Sequence, residues 1–118
     1  MYSNILLFCR LATWSTSTAP VPARFYHTSV VDSNGFAYII GGYDGLTYYN
    51  DIWKYNGTIF TQLSSGTFPM RQMHTSGINI YLNQIFTVGG YSPVKSGDVN
   101  DVWQFSSGSS FMLKPKVK

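Results

Sequence analysis

Apolar and polar positions alternate along this chain in short runs, and each run stops at a cluster of turn-forming residues. Thr28-Ser29-Val30-Val31 leads through Asp32-Ser33-Asn34-Gly35 into Phe36-Ala37-Tyr38-Ile39-Ile40. A period of two is the signature of a half-buried strand. Asn-Gly tolerates the positive φ of a tight hairpin, so this stretch predicts one. A second hairpin is expected from Asp51-Ile52-Trp53-Lys54-Tyr55, the turn Asn56-Gly57 and the returning run Ile59-Phe60-Thr61-Gln62-Leu63. Two hairpins in succession predict a four-stranded antiparallel sheet over residues 28–63. No segment carries a useful helical stripe, so the expected fold class is all-β.

The same text is then repeated. Pro22, Arg24 and His27 return as Pro69, Arg71 and His74, Gly41-Gly42 as Gly89-Gly90, and Asn50 to Tyr55 as Asn100 to Phe105. The second copy runs Gly77-Ile78-Asn79-Ile80-Tyr81, turns at Leu82-Asn83-Gln84, and continues through Ile85-Phe86-Thr87-Val88. After Asp101 to Phe105, a turn at Ser106 to Ser109 leads into Phe111-Met112-Leu113, which predicts a second four-stranded sheet over 75–113. An earlier remnant is visible too: Leu6 and Phe8 stand where Trp53 and Tyr55 project back, with Trp14 near the projection of Phe60. Three landmarks repeated in fixed order mean an array of equivalent units.

Composition adds boundaries. With 44% hydrophobic and 17% aromatic residues among 118, the chain can furnish a core. The net charge of +3 resides in Lys114, Lys116 and Lys118, since the other basic and acidic residues balance. A terminal basic tail is not a nucleic-acid surface, so no nucleic-acid partner is expected. No apolar stretch approaches the roughly 18 to 20 residues of a spanning helix, and no membrane partner is expected either. The run Ile5 to Phe8 lacks a preceding basic residue and is cut short by Arg10, which argues against a signal peptide. Cys9 is the lone cysteine, so no internal disulfide or multi-thiolate metal site can form, and a reducing compartment is mildly favoured.

A strand ending in Gly-Gly, an aromatic pair such as Trp53 and Tyr55 in Asn-Asp-Ile-Trp-Lys-Tyr, and a further aromatic some six residues on together resemble the kelch repeat, whose period is about 50. Pro22-x-Arg24-x-x-His27 and its second copy resemble the loop that leads into a kelch blade. Phe60 and Phe111 stand where that family favours tryptophan. The resemblance covers Leu6 to Leu113. It implies a segment of a kelch-type β-propeller built from four-stranded blades. Its expected organisation is a partial blade and connecting loop at 1–27, a blade and loop at 28–74, a blade at 75–113 and a basic tail at 114–118. Propellers have about four to eight blades, so the segment is expected to belong to a longer protein or to self-associate through exposed blade edges.

Candidate chemistry is sparse. His27 and His74, Asp51 and Asp101, and Trp53 and Trp103 are each repeat equivalents, which points to structural roles: loop histidines, loop-capping carboxylates and core aromatics. Asn56-Gly57-Thr58 is formally a glycosylation sequon and also an ordinary turn. No Gly-rich phosphate cradle, nucleophile triad or His/Cys cluster appears, so no catalytic residue, metal or cofactor is expected. The resemblance leaves one enzymatic alternative, a secreted or carbohydrate-active protein akin to galactose oxidase, with its active site on other blades.

The copies diverge most between their second and third strands, at Tyr43 to Tyr49 and at Tyr91 to Asp98. Recognition on a repeat scaffold tends to sit where copies differ. The expected function is therefore protein–protein interaction. The candidate contacts are Arg24, Tyr43, Asp44, Leu46, Tyr48, Tyr49, Arg71, Lys95 and Asp98, with Tyr43, Tyr48, Tyr49 and Lys95 expected to stand exposed beside both arginines on one surface.

Overall fold

The computed structural model describes residues 14, 16, 19–64, 68–106 and 109–113. The remnant around Leu6 and Phe8, Cys9 and the basic tail lie outside these residues. Trp14 is fully exposed. The described chain is all-β, with ten strands and antiparallel pairing throughout.

The first sheet comprises β1 (Thr28–Val31), β2 (Ala37–Tyr43), β3 (Tyr48–Tyr55) and β4 (Phe60–Ser64) in sequence order. The expected hairpins form, but their turns are held differently. Asn34 does not take a positive φ; Gly35 does, at 82°. Asp32 organises the turn instead, accepting hydrogen bonds from the amides of Asn34 and Phe36 at 2.9 and 3.0 Å. Its other oxygen accepts from the Tyr38 hydroxyl at 2.9 Å. Asn56 acts likewise on Thr58 and Ile59, with Gly57 at φ 95°.

The second sheet comprises β5 (Thr75–Asn79), β6 (Gln84–Val88), β9 (Val102–Ser106) and β10 (Ser109–Leu113), in the order β10-β9-β6-β5. Strand β5 stops at Asn79 rather than continuing to Tyr81. The Asn79 side-chain oxygen Oδ1 accepts from the amides of Tyr81 and Leu82 and curls the chain, leaving Ile80 and Tyr81 exposed in the turn. The Gly89-Gly90 step splits what is continuous in the first repeat. Beyond it, β7 (Tyr91–Ser92) and β8 (Gly97–Asp98) make a small separate hairpin.

Paired residues share a face and successive residues alternate, so the registers fix what each sheet presents. In the first sheet Val30, Tyr38, Ile40 and Ile52 lie on one face, and Val31, Ala37, Ile39, Trp53 and Tyr55 on the other. In the second sheet Ile78, Ile85, Thr87, Trp103 and Phe105 share a face, opposite Phe86, Val88 and Val102. The buried cluster unites Val30, Tyr38, Ile40 and Ile52 with Ile85, Phe105 and Phe68, and Ile78 and Trp103 pack against it. The core therefore lies between the sheets, where the tryptophan-bearing face of the second covers the opposite face of the first. A hydrogen bond between Thr28 Oγ1 and Ser76 Oγ at 2.5 Å crosses the same joint.

Candidate functional site

The loops leading into each sheet pair with the residues that follow each glycine pair. Phe25 and Tyr43 exchange backbone hydrogen bonds at 2.8 and 2.9 Å, and Gln72 and Tyr91 do so at 3.0 and 2.9 Å. Both divergent loops thus sit beside the leading loops at one end of the sheets, as expected. Tyr26 and Met73, equivalent in the two copies, take left-handed backbone at φ 57° and 56°. Bulky side chains rarely adopt this conformation, and here both copies hold it.

The two arginines are not surface contacts, which corrects that expectation. The Arg24 side chain is 2% exposed and that of Arg71 is fully buried. Arg71 clamps Asp101 with both terminal nitrogens at 2.6 and 2.8 Å, and donates to Gly89 O at 2.9 Å and Pro69 O at 3.2 Å. Arg24 repeats each contact with Asp51, Gly41 O and Pro22 O. A planar fork on a carboxylate is the geometry at which arginine excels. Each aspartate also accepts from the indole two residues on, Trp53 or Trp103, at 2.8 Å. Residues two apart on a strand point the same way, which explains the Asp-x-Trp spacing. A bulge at Gly41 opposite Asn50 and Asp51 lets the strand present the first of these carboxylates. The Asp101 carboxyl is held below its usual value, foremost by its hydrogen bond from Arg71. The aspartates are thus structural, but they serve the arginine and indole more than the loop backbone.

His74 is buried and its Nε2 lies 3.0 Å from Ile40 O, across the joint between sheets. Its counterpart His27 is exposed. Burial, reinforced by the nearby charges of Arg71 and His27, pushes the His74 imidazole down to about 4, against an opposing pull from Ile40 O. A folded value below the ordinary 6.5 means that the unfolded chain takes up this proton first as the pH falls. Stability should therefore decline between about pH 6.5 and 4, by on the order of 3 kcal/mol. Asp32 and Asp101, both lowered, contribute stability that is retained above the ordinary carboxylate range and lost only further down, so their window lies below that of His74. Urea denaturation across this range, with an NMR titration of His74, checks the expectation. A His74 midpoint at or above 6.5 would contradict it.

Of the other candidates, Asp44 is exposed but turned onto its own loop. It accepts from the amides of Leu46 and Thr47 and from the Tyr49 hydroxyl, at 2.8, 2.6 and 2.7 Å. These bonds, led by that from Thr47, lower its carboxyl. Pairing of Tyr43 with Tyr48 shortens the loop to Asp44–Thr47. Tyr43 donates to Gly45 O at 2.7 Å, and the Tyr49 ring lies under the Arg24 guanidinium at 3.8 Å. Leu46 is 93% exposed, and Lys95 and Asp98 are also exposed, whereas Tyr43, Tyr48 and Tyr49 are half-buried by their packing on one another and on Arg24, which corrects their expected exposure.

What the loops build together is an aromatic ridge. Tyr26 meets Phe25 edge-on at 5.0 Å, Phe25 meets Tyr43 at 5.5 Å, Tyr43 stacks on Tyr48 at 4.3 Å, and Tyr48 leans on Tyr91 at 6.0 Å. The ridge crosses from the first repeat to the second. Phe25, Tyr26 and Tyr91 were not among the expected contacts; the signal that marks them is that each neighbours a residue shared by both copies. Among the described residues no three His, Cys, Asp or Glu side chains group as metal ligands would. Compared with known proteins, the chain matches no family model and no curated protein.

Proposed function

We propose that the chain is a segment of a kelch-type β-propeller and acts as a protein-interaction module. The observation that carries this reading is the aromatic ridge from Tyr26 to Tyr91, raised on loops at one end of two sheets that are themselves rigidly braced. The propeller part is supported by the duplicated Arg-Asp-Trp brace and by the face-to-face packing of successive sheets, both of which can continue into further units. Aromatic side chains offer large contact area for little conformational entropy, and a half-exposed row of them beside Leu46 suits an extended apolar-and-polar segment of a partner protein. Asp44, Tyr43 and Tyr49 hold the platform; Leu46, Tyr48, Phe25 and Tyr26 meet the partner, with Lys95 and Asp98 at the rim.

The test places a photo-crosslinking amino acid at Tyr26 in the full chain and compares adducts with and without a second change. Leu46→Ala and Tyr48→Ala should each reduce partner adducts by the equivalent of roughly 1 to 2 kcal/mol of binding. The melting temperature should stay close to that of the parent. If Tyr48→Ala lowers stability as far as Trp103→Ala does while adducts are unaffected, the ridge is internal packing and the reading fails.

A further inference from the structure

The joint between the two sheets is heterologous, because the tryptophan-bearing face of one meets the opposite face of the other. Each sheet also owns the face that it does not use there. The tryptophan-bearing face of the first sheet ends in Val31, 55% exposed, and the unused face of the second ends in Val88, 43% exposed. By register these are the counterparts of Ile78 and Ile40, which the internal joint buries or half-buries.

The polar contacts of the joint are split in the same manner. Thr28 bonds Ser76 across it, and their repeat counterparts are Thr75 and Ser29, both exposed and on the unused faces. His74 reaches Ile40 O across it, and the corresponding pair is exposed His27 and the carbonyl of Val88. Among the described residues, each half of the internal joint is thus displayed again, on the two outer faces of the two-sheet stack.

We propose that a second copy of this chain docks head to tail, laying the Val31 face of its first sheet on the Val88 face of its neighbour's second sheet and repeating the internal joint. His27 of one copy then faces Val88 O of the next, and Ser29 faces Thr75. A heterologous contact of this type closes into a ring where the rotation permits and otherwise extends. The proposal stands apart from the partner-binding ridge, which lies on the loops rather than the faces.

Sedimentation of the full chain over a hundredfold concentration range should show assembly beyond the 13.2 kDa monomer. Val31→Asp and Val88→Asp should each abolish it. Mixing the two variants should restore a species of twice the monomer mass and nothing larger, since each retains the face that the other lacks. A symmetric dimer would lose affinity in both variants without rescue by mixing, and that result overturns the proposal. So does a parent chain that is monomeric throughout. Should either variant fail to fold, Ser29→Cys with Thr75→Cys in a Cys9→Ser background provides a second route. Oxidation should then link different copies in a ladder, and the absence of intermolecular bonds under conditions where the parent assembles would also overturn it.

Discussion

Gly90→Ala should be among the most damaging substitutions available in this chain, costing on the order of 4 kcal/mol or more. A Cβ at this position would stand 2.5 Å from Gln72 O and 2.9 Å from both Cα and N of His74. These are backbone atoms of the leading loop, and that loop is pinned by its hydrogen bonds to Tyr91, so nothing can yield cheaply. Positive φ, 91° here, adds strain for any side chain. Gly57→Ala is the control, since it sits at a similar φ of 95° with nothing within 4 Å of the new atom. That change should cost only the backbone strain, about 1 to 2 kcal/mol. Chemical denaturation of both variants separates close approach from conformation: similar losses would show that φ alone explains the second glycine of the pair.

Arg71→Met should cost about 3 to 5 kcal/mol, because it leaves the Asp101 carboxylate in the brace without its cation. Methionine keeps much of the apolar stem, so the loss isolates the guanidinium. Gly89 O and Pro69 O also lose their donor, although the Trp103 indole still reaches Asp101. Arg71→Lys should recover only part of the loss, since an ammonium cannot span both carboxylate oxygens and Gly89 O together. The denaturation midpoint measured at neutral pH checks this. An unchanged midpoint would show that the brace adds nothing net to stability.

The sheets were legible because strand alternation and Asn-Gly turns are local signals. So was the placing of the divergent loops, since the repeat fixes which segments lie beside each glycine pair. The arginines were misread for a physical reason. An arginine on a polar loop has the same local sequence whether its fork meets solvent or a carboxylate 27 or 30 residues away, as with Asp51 and Asp101. The available clue was joint recurrence: Arg, Asp, Trp and Gly-Gly all return together, as the parts of one brace must. Asp32 was missed because Asn34-Gly35 is the stronger textual turn signal, whereas the carboxylate that shapes this turn is selected by Tyr38 across the hairpin. His27 and His74 share a motif yet differ in burial, since only His74 has a described sheet in front of it.

Arg71 belongs to two sheets at once. Its backbone is bonded to the first, through Gly42 N to Arg71 O at 2.9 Å and Arg71 N to Tyr49 O at 3.2 Å, while its side chain is committed to Asp101 and Gly89 in the second. Length can change inside a repeat without disturbing this brace, since 27 residues separate Arg24 from Asp51 and 30 separate Arg71 from Asp101 under the same fork. The extra residues fall in the β5–β6 turn and in the hairpin of β7 and β8, outside the bonds that the arginine makes. Loops in this architecture are therefore free to drift in length, while a whole unit can be gained or lost with the arginine as the splice point, where one repeat joins the next without a new interface having to be invented.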